Sequence, residues 1–140
     1  NFALHKRAYQ SSVIDFYNFN WTADKAVDGN SDGSNPDESS TCSATMARLD
    51  NHTWEVDIGF LIRIQTVTVY GRSDGTDQLS GFKVYIGNIT RPWTVNQPLV
   101  EERFGYIRHT FRAYGSLAQF VSVIRRNSDI LTICEVVVDG

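Results

Sequence analysis

Short runs in which apolar and polar residues alternate with a period of two constrain this chain most. Phe82, Val84 and Ile86 alternate with Lys83 and Tyr85, the mark of a strand with one face on a core. Near the end, Cys134, Val136 and Val138 share one face, and Ile133, Glu135 and Val137 share the other. The segments Glu55–Gly59, Ile62–Tyr70, Gly81–Gly87, Tyr106–Phe111, Gln119–Arg125 and Ile130–Val138 are rich in β-branched and aromatic residues. Gly, Asn, Asp or Ser bound them, as expected of strands. The phase slips between Ile62/Ile64 and Val67/Val69, which predicts a bulge near Gln65–Thr66. No segment keeps a helical period over three turns. The expectation is all-β: an antiparallel β-sandwich, a jelly roll. At 140 residues the chain is read as one domain, 1–140, with a real core.

Composition removes several functions. A net charge of −3 and a pI near 5.5 do not supply the basic face that a general nucleic-acid binder needs. No apolar run approaches the length of a membrane span, so membrane insertion is not expected. No signal peptide opens the chain, which reads as a mature or trimmed fragment. Three N-x-S/T sequons, at Asn20, Asn51 and Asn88, favour a secreted or cell-surface glycoprotein. The two cysteines, Cys42 and Cys134, are most simply one disulfide there; the alternative is two free buried thiols in the cytosol. A bridge closing a loop that long is worth roughly 4–5 kcal/mol in the chain-entropy model.

Ser11 to Cys42 has little regular pattern, and loops that long are commonly functional. It holds the aromatic cluster Phe16-Tyr17-Asn18-Phe19-Asn20-Trp21, either a plug for one end of the sandwich or an exposed contact surface. It also holds Asp28-Gly29-Asn30-Ser31-Asp32-Gly33, which matches the first half of an EF-hand loop. The bidentate glutamate that should follow falls at Ser39, and the flanks are not helical, so an EF-hand is not expected. A hard-cation site and a plain Asx-rich turn both remain open. A third polar insert, Arg72 to Gln78, joins two strands.

Asn1–Lys6, Ala8–Ser12, Lys25–Asn30, Trp54–Gly59, Leu79–Phe82 and Ile133–Val138 follow in the order seen in F-type lectins, the fucose-binding lectins first known from eel. The resemblance covers nearly the whole chain. It implies a discoidin-like jelly roll, a structural calcium ion and a carbohydrate site at one loop end. The implied calcium ligands are Lys25 and Asn30 through backbone oxygens, the Asp28 carboxylate, Thr41, the Cys134 carbonyl and the Glu135 carboxylate. Calcium would also account for Glu135, a charge inside an apolar strand. The Cys42–Cys134 bridge looks like the family's and would tie the calcium loop to the last strand.

The implied sugar site is incomplete. The family places a histidine two residues after the first cysteine; here that residue is Ala44. The family loop reads arginine-x-aspartate-cysteine-cysteine-x-x-arginine. Arg72 and Asp74 keep its start, Gly75-Thr76 replaces the cysteines, and Gln78 aligns with the second arginine. The carbohydrate residues that the resemblance implies are therefore Arg72, Asp74 and Gln78. Each hydrogen bond to a charged group is worth about 1.5–3 kcal/mol. Losing two such partners costs about 3–6 kcal/mol, on the order of two to four decades in affinity.

The resulting expectation is an extracellular, noncatalytic, calcium-binding recognition domain with altered or weakened fucose specificity. The alternative is a protein–protein adhesion module on the same scaffold, using Phe16–Trp21, Trp93, Arg125 and Arg126 as anchors. Partners are then glycans or a protein ligand, and oligomers or tandem arrays would raise avidity. His5, His52 and His109 lie in unrelated contexts without metal-ligand spacing. No nucleophile elbow or phosphate loop occurs, so no enzyme is expected.

Overall fold

Two long strands carry the architecture of the computed structural model, which describes residues 1–16, 19–103, 107–126 and 129–140. The strands are β1 (Arg7–Gln10), β2 (Ser43–Ala44), β3 (His52–Tyr70), β4 (Lys83–Gly87), β5 (Val100–Arg103), β6 (Arg108–Arg125), β7 (Thr132–Ile133) and β8 (Glu135–Asp139). β3 and β6 pair antiparallel from His52↔Arg125 to Tyr70↔Arg108. The first half of β3 also pairs with β1 and the second half of β6 with β4. The other halves carry β8 on β3 and β5 on β6. One pair of strands thus contributes to both layers of an all-β, discoidin-like jelly roll.

The layers separate where the β3–β6 register breaks, between Asp57 and Ile62 and between Ile64 and Thr66. The second break lies where the hydrophobic phase slips, and its surplus residues are on β6. Ile64 pairs with Ser116 and Thr66 with Arg112, and Tyr114 and Gly115 between them take positive φ. Across these bends, Trp54, Val56 and Ile58 from one half join Val67, Val69, Phe111, Val136 and Val138 from the other in one buried cluster. Burial of such side chains is the main stabilising term.

Several boundaries differ from expectation. Glu55–Gly59 and Ile62–Tyr70 are one strand, as are the described part of Tyr106–Phe111 and Gln119–Arg125. Period-two patterning reads a bulge as an ending, because the surplus residues reset the phase. Ile130–Val138 is divided at Cys134 into β7 and β8. The short strands β1 and β5 carried no clear pattern. Tyr106, Tyr17 and Asn18 lie outside the described residues.

Candidate functional site

One end of the sandwich is built from segments 11–45, 71–81 and 129–135. The Cys42–Cys134 disulfide fastens the first to the last. Trp21, Cys42, Ala44 and Cys134 form a second small core, against which Ile14, Phe19 and Ile130 pack. Trp21 is buried and its Nε1–H donates to the Phe16 carbonyl at 2.9 Å. Phe16 stays exposed. Among the described residues of the aromatic stretch, Trp21 is a plug and Phe16 lies at the surface.

Residues 28–34 form a ladder of Asx turns. Asp28 Oδ1 accepts from Asn30 N, Asn30 Oδ1 from Asp32 N, and Asp32 Oδ1 from Ser34 N, each at 3.0 Å. The Ser34 bonds hold the Asp32 carboxyl below its usual pKa. Gly33 then passes under the next loop. A Cβ there would lie 2.6 Å from the Gly71 carbonyl oxygen and 3.1 Å from Cys134 Sγ, and the Gly33 carbonyl accepts from Ser73 N at 2.9 Å. The glycine of the apparent EF-hand half-motif serves this close approach.

Glu135 reaches the same ladder from β8. Its Oε2 accepts from Gly29 N at 2.9 Å. Its Oε1 is buried without a partner, and the residue is 1% exposed. Burial pushes the carboxyl up to about 8, and the neighbouring Asp28 charge adds to the rise against the Gly29 N–H. Thr41 is buried beside the disulfide. Lys25 stands in the 3-10 turn Ala23–Ala26 just before Asp28. Among the described residues no three His, Cys, Asp or Glu side chains gather. Two carboxylates plus neutral oxygens suit a hard cation of the calcium type, and the orphaned, buried Glu135 Oε1 is the atom a cation would satisfy.

Above this rim lies a pocket of about 230 Å³ that brings together the three positions at issue in the sequence, Arg72, Gln78 and Ala44. Ile14, Phe16, Trp21 and Ile130 give it an apolar side. Arg72 Nε donates to Asp74 Oδ1 at 3.2 Å, and its Nη2 donates to Asp74 Oδ2. Gly75 turns the chain at φ +89°, and Thr76 N also donates to Asp74 Oδ1, at 3.2 Å. Burial opposes the Arg72 charge, but Asp74 and Asp37 outweigh it and hold the guanidinium above its ordinary pKa.

Gln78 lines the pocket with its carbonyl oxygen already engaged. Its Oε1 accepts from Arg72 Nη1 at 3.2 Å and from Thr132 Oγ1, so its NH₂ is the end left for a ligand. Asp77 Oδ1 accepts from Leu79 N and Ser80 N and shapes the turn that follows Gln78. The sequence reading missed Asp37, whose Oδ2 lies 3.3 Å from Arg72 Nη2. The two residues are far apart in the chain, and no motif links them.

The proposed protein-contact anchors separate. Arg125 is 2% exposed and donates to the Ser80 and Ile130 carbonyls, so it staples two rim loops and is not a surface anchor. Burial lowers its pKa. Trp93 is half-buried in the turn Pro92–Thr94, and Arg126 is exposed. The histidines do not converge: His52 is buried against Thr45, and His109 pairs with Glu101. Asn20, Asn51 and Asn88 are all exposed. Among the described residues no helix is long and apolar enough to cross a membrane.

A two-layered jelly roll with an arginine-centred, half-apolar pocket at its loop end has the build of a carbohydrate-binding module. A family model described as NedA-like, galactose-binding domain matches residues 25–123, and the chain belongs to that family. Solved structures agree with the F-type lectin resemblance. A fucolectin from the serum of Morone saxatilis (striped bass) is 27% identical, with a TM-score of 0.83 over 100% of this chain and 48% of its own. The lectin domain of lectinolysin, complexed with Lewis B antigen, is 28% identical, with a TM-score of 0.79 over 99% of this chain and 95% of its own. A Streptococcus pneumoniae fucose-binding module is 25% identical, with a TM-score of 0.80 over 99% and 93%. No curated protein matches the chain by sequence.

Proposed function

We propose that this chain is a noncatalytic, extracellular carbohydrate-recognition module that binds neutral glycans, with weakened affinity for simple fucosides. The observation that carries the reading is the convergence of Arg72 and Gln78 on one pocket with the apolar side chains of Ile14, Phe16 and Ile130. A sugar presents hydroxyls at its edge and C–H groups on its face, and such a pocket offers a partner to each. Ala44 contributes no donor, and Gln78 contributes a neutral one where the F-type lectin pattern has a charged one. The similarity to a fucolectin, a fucose-binding module and a lectin domain complexed with Lewis B antigen supports a glycan partner.

Calcium belongs to the same proposal. The Asp28 and Glu135 carboxylates, Thr41, and the carbonyl oxygens of Lys25, Asn30 and Cys134 would hold it. A bound cation supplies the charge that two adjacent carboxylates lack. The site's own residues then fasten segments 25–30, 41–42 and 134–135 together beneath the pocket. Glycans on Asn20, Asn51 and Asn88 are part of the extracellular reading, which the disulfide supports.

The test is a broad glycan array probed with multimerised protein, with and without calcium. Weak, calcium-supported binding that disappears in Arg72→Ala is expected. A blank array together with a protein ligand recovered by pull-down would replace this reading with the adhesion module.

A further inference from the structure

We infer that Asp37 is a specificity-determining residue of this pocket: it competes internally for Arg72 and biases the site toward neutral over acidic glycans. The inference rests on the carbohydrate reading above. A guanidinium has five N–H donors. The Arg72 Nε–H goes to Asp74, the two Nη2 protons face Asp74 and Asp37, and one Nη1 proton goes to Gln78. One donor remains. Two adjacent sugar hydroxyls need two, so a ligand must take one from a present holder.

Asp37 is the holder that yields most readily. Asp74 makes two bonds to Arg72 and a third to Thr76 N. Gln78 Oε1 is also fixed by Thr132. Asp37 offers one oxygen to Arg72, while its Oδ1 is shut away from water without a partner. It sits at the pocket's lip on the single-turn helix Pro36–Ser39, with its side chain 34% exposed. Releasing Arg72 frees Oδ1 to find a donor on the ligand or in water. The charge balance sets the class of ligand. Arg72, Asp37 and Asp74 sum to −1, so a neutral sugar need only displace Asp37, whereas a sulfated or sialylated one also meets two carboxylates.

The experiment compares the native chain with Asp37→Ala, and with Asp37→Asn as a second variant, using Lewis b tetrasaccharide and a sulfated Lewis trisaccharide as probes. NMR signals of the Arg72 Nη protons report the clamp without any sugar. Expected are loss of Arg72 Nη protection in Asp37→Ala, a roughly two- to five-fold gain for Lewis b, the worth of a partly exposed ion pair, and a larger gain for the sulfated probe. Unchanged Nη signals, or Lewis b binding that stays level or falls in Asp37→Ala, overturns the competitor and leaves the carbohydrate reading standing. Failure of both probes with every form overturns the carbohydrate reading itself, and the competitor with it.

Discussion

Glu135→Gln separates a calcium-held rim from a self-sufficient one. Without calcium the Glu135 carboxyl is pushed up to about 8 by burial, so it is mostly neutral at pH 7, and glutamine is a close mimic of the protonated acid. Little change in Tm is expected in EDTA. With calcium the two chains diverge, because an amide cannot replace a carboxylate ligand. Extracellular calcium sites commonly dissociate at about 0.1–1 mM. At 10 mM free calcium the native chain then gains about 1.4–2.7 kcal/mol by mass action. For a chain this size that is a Tm rise of about 5–9 °C. Thermal scans of both chains, with calcium and with EDTA, read all four values. A native Tm indifferent to calcium, or an equal rise in both chains, refutes the reasoning.

Other parts of the rim give independent tests. Arg125→Met removes two bonds from a buried guanidinium to rim-loop carbonyls and should cost about 2–4 kcal/mol in urea denaturation; a loss no larger than a surface substitution gives would count against the staple. Gly33→Ala drives a Cβ against backbone at the Gly71 carbonyl, an overpacking cost of about 1–3 kcal/mol, with Arg72-loop amide shifts as the NMR signature; unchanged shifts would mean the approach is loose. Reduction of Cys42–Cys134 should lower stability by up to roughly 4–5 kcal/mol, read by denaturant titration with and without reductant, and no change would contradict its role. Arg72 holds the Asp74 carboxyl below its ordinary value of 3.8 against the opposing effect of burial. The bond's contribution is therefore complete above that pH and lost as pH falls through the lower folded-state value. Side-chain NMR of Arg72 should stay constant from neutral pH down to about 3.8, and release well above it would contradict the pairing.

Much of the scaffold was legible because strand burial repeats every second residue. Phe82, Val84 and Ile86 announced β4, and the phase slip in β3 marked the level at which the layers part. Glu135 stood out as a charge among valines, and Arg72 and Asp74 as the start of a known loop. The differences have two physical sources. A bulge resets the alternation without ending the strand, so β3 and β6 each read as two. Arg125 looked like an interface anchor because an arginine is usually exposed, yet two loop carbonyls bury it.

The amino-acid order alone determined the alternating faces, the cysteine pair and the loss of the histidine and second arginine from the sugar pattern, because these depend only on residue type and local spacing. The tertiary structure decided that Gly33 couples the Asx ladder to the Arg72 loop, that Arg72 and Thr132 hold the Gln78 carbonyl oxygen, and that Asp37 shares Arg72 with Asp74. Each of these depends on atoms distant in the chain meeting within a few ångströms, and no local pattern records such a meeting.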